Sequence, residues 1–180
     1  MPVKLNRLRK LATPRMDLAP GAYPAHIVAV VYPKENNGSC RRTYGEFLLQ
    51  VHKGTGVCYV PTKVFDISIN EQGIMYKLLS GLTGTRSSEE LFKWLDKNGM
   101  LGEDEFDEAE FLGSPVLAQV DRVNRNSEQN AGTYNIVTGF APLASNDEPD
   151  LVTDRLIPYG YARFDRFEIE KLPELDLDNG

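Results

Sequence analysis

The sequence predicts a mainly β protein with inserted helices: an α+β fold in which five strands close into a small barrel, with a helical block between strands 3 and 4. Three observations carry this. Apolar side chains alternate with period two in residues 21–33, 44–53 and 57–67, and on both sides of a polar break within 113–143. Beyond the first 20 residues, helical spacing is confined to 72–97. Gly, Asn and Pro clusters punctuate the segments, as turns require. A chain of 180 residues suits one domain with appended ends. These are a basic arm over 1–20, the barrel domain over 21–169, and an acidic tail over 170–180 that is too short and charged to pack alone and is expected to be disordered.

Composition narrows the function. The net charge of −6 excludes a uniformly basic nucleic-acid binder, so any such site must be a local basic patch. Cys40 and Cys58 are the only cysteines, and with His26 and His52 they make no zinc spacing. They read as reduced thiols of a cytoplasmic protein. No apolar run approaches the ~20 residues that cross a bilayer, and the basic N-terminus lacks the apolar stretch of a signal peptide. No membrane partner, metal or cofactor is implied.

Each element has a local reason. In the arm, Lys4, Arg7, Arg9, Lys10 and Arg15 precede the first acid, and Leu5, Leu8 and Leu11 allow a short helix limited by Pro14. Residues 21–33 place Tyr23, Ala25, Ile27, Ala29 and Val31 on one face and His26, Val28, Val30 and Tyr32 on the other. Both faces are largely apolar, as in a strand buried on two sides. His26 reads as structural. A loop over 34–42 ends in Arg41 and Arg42. In 44–53, Phe47, Leu49 and Val51 oppose Tyr44, Glu46, Leu48, Gln50 and His52, and a turn at Gly54–Gly56 leads to a third strand interrupted by Pro61.

Ile74, Met75, Leu78, Leu79 and Leu82 define one helix, closed by Gly81 and Gly84. Ser87 with Glu89 and Glu90 starts a second, whose stripe of Leu91, Phe92, Trp94 and Leu95 is core. The acidic run 103–110 reads as a solvated linker anchored by Phe106 and Phe111. Residues 113–143 form a hairpin with a long polar tip carrying Arg125. After an acidic break at 144–150, residues 157–169 alternate weakly and suit an edge strand or a crossing of the barrel surface.

Strand, strand, strand, helices, strand, strand is the order of an OB-fold, the five-stranded Greek-key barrel. Residues 18–25, Leu-Ala-Pro-Gly-Ala-Tyr-Pro-Ala, open the first strand. Phe111-Leu112-Gly113-Ser114-Pro115-Val116 precedes a strand–loop–strand ending in Tyr134-Asn135-Ile136. Over residues 20–143 this pattern resembles phage-type OB-fold single-stranded DNA-binding proteins. The resemblance implies a non-enzymatic protein of phage DNA replication or recombination, with low sequence specificity. It also implies a groove across strands two and three, bounded by the loops at 34–42 and 124–132.

Single-stranded nucleic acid needs cations for its backbone and flat rings for its bases. Arg41, Arg42, Lys53, Lys63, Arg122 and Arg125 answer the first need. Tyr44, Tyr59 and Tyr134 answer the second, though each ring suits barrel packing equally well. The acidic tail resembles those that recruit replication or recombination proteins, or that compete with DNA for a basic groove. It departs from the bacterial pattern in ending Asn179-Gly180, without a terminal apolar residue. Homo-oligomerisation is left open. Two rivals stand beside this reading. An enzyme finds no nucleophile elbow, phosphate loop or metal helix to support it. A protein–protein adaptor on the same barrel stays open, because fold does not settle function.

Overall fold

The computed structural model describes residues 10–13, 15–34, 42–101, 106–127, 130–158 and 167–178. In chain order the strands are β1 (Leu11–Ala12), β2 (Gly21–Pro33), β3 (Tyr44–Lys53), β4 (Gly56–Pro61) and β5 (Phe65–Asp66), followed by helices α1 (Ile74–Thr83) and α2 (Ser88–Lys97). A 3-10 turn at Glu108–Phe111 leads to β6 (Pro115–Ser127) and β7 (Asn130–Ala141), then β8 (Arg155–Ile157), β9 (Phe167–Lys171) and β10 (Asp176–Leu177). The main sheet runs β4-β3-β2-β6-β7, with β5 added to β3 and β9 to β2. All of its ladders are antiparallel. It curls into a half-barrel, and a single parallel bridge between Thr62 and Val137 brings its two ends together.

β2 is the central strand, and it departs from strict alternation. Its register against β3 shifts between Ile27 and Ala29. The extra residue of such a bulge turns every later side chain to the other face. Ala25, Ile27, Val30 and Tyr32 therefore share the barrel core, while Val28, Ala29 and Val31 belong to a second apolar cluster outside it. At the same point β2 changes its partner on the other edge, from β6 (His26 beside Pro115) to β9 (Ala29 beside Lys171). β3 keeps the alternation, with Phe47, Leu49 and Val51 inside and Leu48 outside. The third strand stops at Pro61, and Phe65–Asp66 returns to pair with the start of β3.

The helices close the barrel. Ser87 accepts the Glu90 N–H as the N-cap of α2, with Glu89 and Glu90 in its first turn, where the helix dipole favours acids. α1 runs through Gly81 and ends at Gly84, which takes the left-handed conformation at φ 72°. Gly81 has another purpose: a Cβ there would lie 2.3 Å from the Phe140 carbonyl oxygen, so the helix can seat on β7 only without a side chain. Trp94 packs on the core and lies parallel to Phe111, with centroids 6.4 Å apart. Phe111 is buried and Phe106 half-buried, as anchors would be, but the acidic run is not wholly solvated. Glu108 is buried and accepts the Tyr32 hydroxyl.

Described segments near both ends of the chain belong to the fold, so residues 170–178 are ordered where the sequence led to the expectation of a disordered tail. β9 pairs with β2 through Pro33–Phe167 to Ala29–Lys171. β8 pairs in parallel with β1 and β10, joining the two ends in a three-stranded sheet. Ile157 and Leu175 are fully buried against Val28, Val31 and Leu48. The physical reason is that β2 and β3 leave an apolar outer face, and Leu172, Leu175 and Leu177 lie among the acids that follow. Lys10 ties the same layer to Asp176 at 2.9 Å, and Leu18 is buried in the barrel core. Residues 1–9, which carry Lys4, Arg7 and Arg9, lie outside the described part.

If this layer is integral, Leu175→Ala should cost about 2–5 kcal/mol in urea unfolding, as a buried leucine truncation does. A loss below about 0.5 kcal/mol, the level of a surface substitution, would return the segment to a loosely attached tail.

Candidate nucleic-acid interface

A cleft lies at the seam of the half-barrel. β4 pairs along its length with β3 on one edge, β7 with β6 on one edge, and Thr62–Val137 is the bridge between them. Beyond that bridge the two strands part around a cleft of about 1100 Å³. The cleft is walled by β4 and the residues after it, by positions 133–136 of β7, and by the approach to β2 at 13–17. Asp17 and Leu18 are fixed there by polar contacts. The Leu18 N–H donates to Asn135 Oδ1 at 2.9 Å, and Asn135 Nδ2 donates back to the Leu18 carbonyl at 2.8 Å.

Three of the sequence-predicted residues meet in this cleft: Tyr59, Lys63 and Tyr134. Arg15 joins them, together with Asp17 and Glu46, so cations and carboxylates are balanced. Lys63 and Arg15 are exposed; Tyr59 and Tyr134 are half-buried. The Tyr59 hydroxyl accepts from Gln50 Nε2 at 2.9 Å, and burial raises its pKa. Cys58 also lines the cleft, where burial pushes its thiol up to about 11 and keeps it protonated at neutral pH. The alternation of β3 already set Glu46 on the same face as Tyr44. Arg15 and Asp17 carried no signal beyond their charge.

The other predicted residues lie elsewhere. Tyr44 starts β3 and is 54% exposed, while Lys53 ends the same strand, a separation of about 30 Å at ~3.3 Å per residue. Arg122 is spent on structure: its Nε is 3.3 Å from Asp17 and it donates to the Leu18 carbonyl at 3.2 Å. Arg42 pairs with Glu168 at 2.6 Å and Glu170 at 3.4 Å. Arg125 pairs through its backbone with Gly132, and its side chain lies outside the described part, as does Arg41.

The face across strands two and three of the barrel, where the resemblance put the groove, is covered. Tyr59 and Leu48 pack there against Leu151, Ile157 and Leu175. Gln50, fully buried, holds this cover like a strand partner: its Nε2 donates to the Val152 carbonyl at 2.8 Å and its Oε1 accepts the Val152 N–H at 2.9 Å. Farther along the same face, His26 Nδ1 lies 3.1 Å from His52 Nε2, and His26 Nε2 lies 3.4 Å from Glu148. Both rings are buried. Among the described residues no cluster of His, Cys, Asp and Glu could hold a metal ion. No helix among them is long and apolar enough to cross a membrane. No family model, curated protein or solved structure matches this chain.

Burial, and then the nearby His26, pull His52 down from 6.5 to about 4. Its folded form is therefore neutral where the unfolded form begins to take up a proton. Stability from this residue is present above pH 6.5 and is lost as the pH falls toward 4, by roughly 3 kcal/mol at ~1.4 kcal/mol per pH unit. In urea titrations between these pH values, His52→Gln should remove most of that slope. An identical slope in the variant would assign the effect to other groups.

Proposed function

We propose that this protein is an OB-fold binder of single-stranded DNA, of low sequence specificity and without enzymatic activity, acting in phage DNA replication or recombination. The fold assignment is supported by the path β4-β3-β2-β6-β7, by the parallel contact of Thr62 with Val137, and by the two helices between β4 and β6. A Greek-key barrel that closes its third strand against its fifth has this arrangement. The observation that carries the function is the seam cleft, which gathers Tyr59 and Tyr134 with Arg15 and Lys63. Rings give sequence-tolerant stacking, and cations neutralise phosphates. With the outer face of β3 and β4 covered, the strand would run along the seam.

A second reading has its own observation. Asp17 and Glu46 offset the cations of the cleft, and β4 and β7 turn strand edges toward it. An extended peptide can add to such an edge through its backbone. An adaptor on this barrel would bind protein instead of DNA.

Anisotropy of a labelled oligo-dT separates the two. Two phosphate contacts predict log K falling with log salt at a slope of about −1.4, the single-strand value of ~0.7 for each. Lys63→Ala should weaken binding and lower the slope by about half. Tyr134→Leu should weaken binding by about 1–3 kcal/mol through lost stacking, at an unchanged melting temperature. Absence of binding at low salt would leave the adaptor.

A further inference from the structure

We infer that Arg42 is a preorganised phosphate-binding residue whose ligand position is filled by two of the chain's own carboxylates, Glu168 and Glu170. The identity of the ligand as a DNA strand rests on the reading above; the anion site itself rests on local geometry.

The platform beneath Arg42 is rigid. Its guanidinium carbon lies 4.7 Å from the centre of the Tyr32 ring. Tyr32 is fully buried, and its hydroxyl donates to Glu108, which is buried as well. The backbone of Arg42 is strained at φ 49°, and among the described residues no other non-glycine has a positive φ. A side chain with a Cβ adopts that conformation at a cost, and it persists where the surroundings over-determine it, commonly at functional sites.

The occupants are weak by comparison. Glu168 at 2.6 Å and Glu170 at 3.4 Å approach different nitrogens of the guanidinium, and all three side chains are about half-exposed. Ion pairs of that exposure contribute little, so they do not account for the strain. Two oxygens set against a guanidinium are the arrangement a phosphate also provides, with both oxygens on one atom. β9 need not leave. Glu168 sits opposite Tyr32 and Glu170 opposite Val30 in the β2 ladder, so rotation of the two carboxylates alone opens the site. This differs from a detachable tail, because the strand stays paired while its side chains exchange for the ligand.

The test uses the full chain, with labelled oligo-dT and inorganic pyrophosphate as probes, at about 50 mM and about 1 M salt. Replacing Glu168 and Glu170 together by Gln should tighten both probes about three- to tenfold at low salt, with a smaller gain at high salt. Adding Arg42→Ala should erase the gain, and Glu174→Gln, which removes an exposed charge outside the cluster, should produce none. A gain that survives Arg42→Ala, or an equal gain from Glu174→Gln, would mean a bulk charge effect and overturn the inference. Failure of both probes to bind the double Gln variant would overturn it too. Arg42-dependent binding of pyrophosphate without any binding of oligo-dT would uphold the anion site and sink the DNA reading. Glu168→Gln alone, checked by thermal melting, serves if the double variant does not fold.

Discussion

β2 places Ala25, Ile27, Val30 and Tyr32 in one apolar cluster and Val28, Ala29 and Val31 in another, all of them buried. A strand apolar on both faces needs a layer on each side. The curled sheet and its helices supply the inner one. The outer one has to come from elsewhere in the chain, and Leu151, Ile157 and the stretch from Phe167 to Leu177 supply it. The bulge after Ile27 is where the two demands meet. It turns Val30 and Tyr32 inward as β2 gives up β6 and takes β9 as its neighbour.

That outer layer decides where a ligand can go. The OB-fold resemblance put the groove on the outer side of the second and third strands, but here Tyr59 and Leu48 pack with Leu151, Ile157 and Leu175, and Gln50 holds Val152. The seam remains open because the two ends of the sheet meet at one bridge and then diverge. Its walls mix Arg15 and Lys63 with Asp17 and Glu46, so for the single strand proposed above stacking on rings would have to contribute more than charge.

The acids of this acidic chain are distributed into specific partnerships. Glu108 receives the Tyr32 hydroxyl, Asp17 holds Arg122, Asp176 meets Lys10, and Glu168 and Glu170 enclose Arg42. Most of these pairs join segments far apart in sequence. They fix segments near the two ends of the chain to the barrel; Arg122 is thereby removed from the pool of cations open to a ligand, and Arg42 is set between its own carboxylates and any anion that would replace them. Net charge therefore says less about binding here than the geometry of each pair.

The sequence by itself determined the order of the five longest strands and the two helices, the interior row of β3, the cap of α2 and the two-sided burial of β2. Those features depend on period and on residue type within a short window, which the chain displays directly. It did not reveal the bulge at Ile27–Ala29, because one extra residue changes register without changing composition. Nor did it reveal that Leu175 is core with Leu172 and Leu177 packed against it, since acids on either side make the segment read as solvated. It brought Tyr59, Lys63 and Tyr134 forward as candidates, and they do share a cleft. It could not tell that Arg122 and Arg42 already had carboxylate partners, or that the outer face of β3 was covered. Those outcomes were decided by tertiary structure, because they follow from which distant segment fills the apolar face of β2, and contact between distant segments leaves no local pattern.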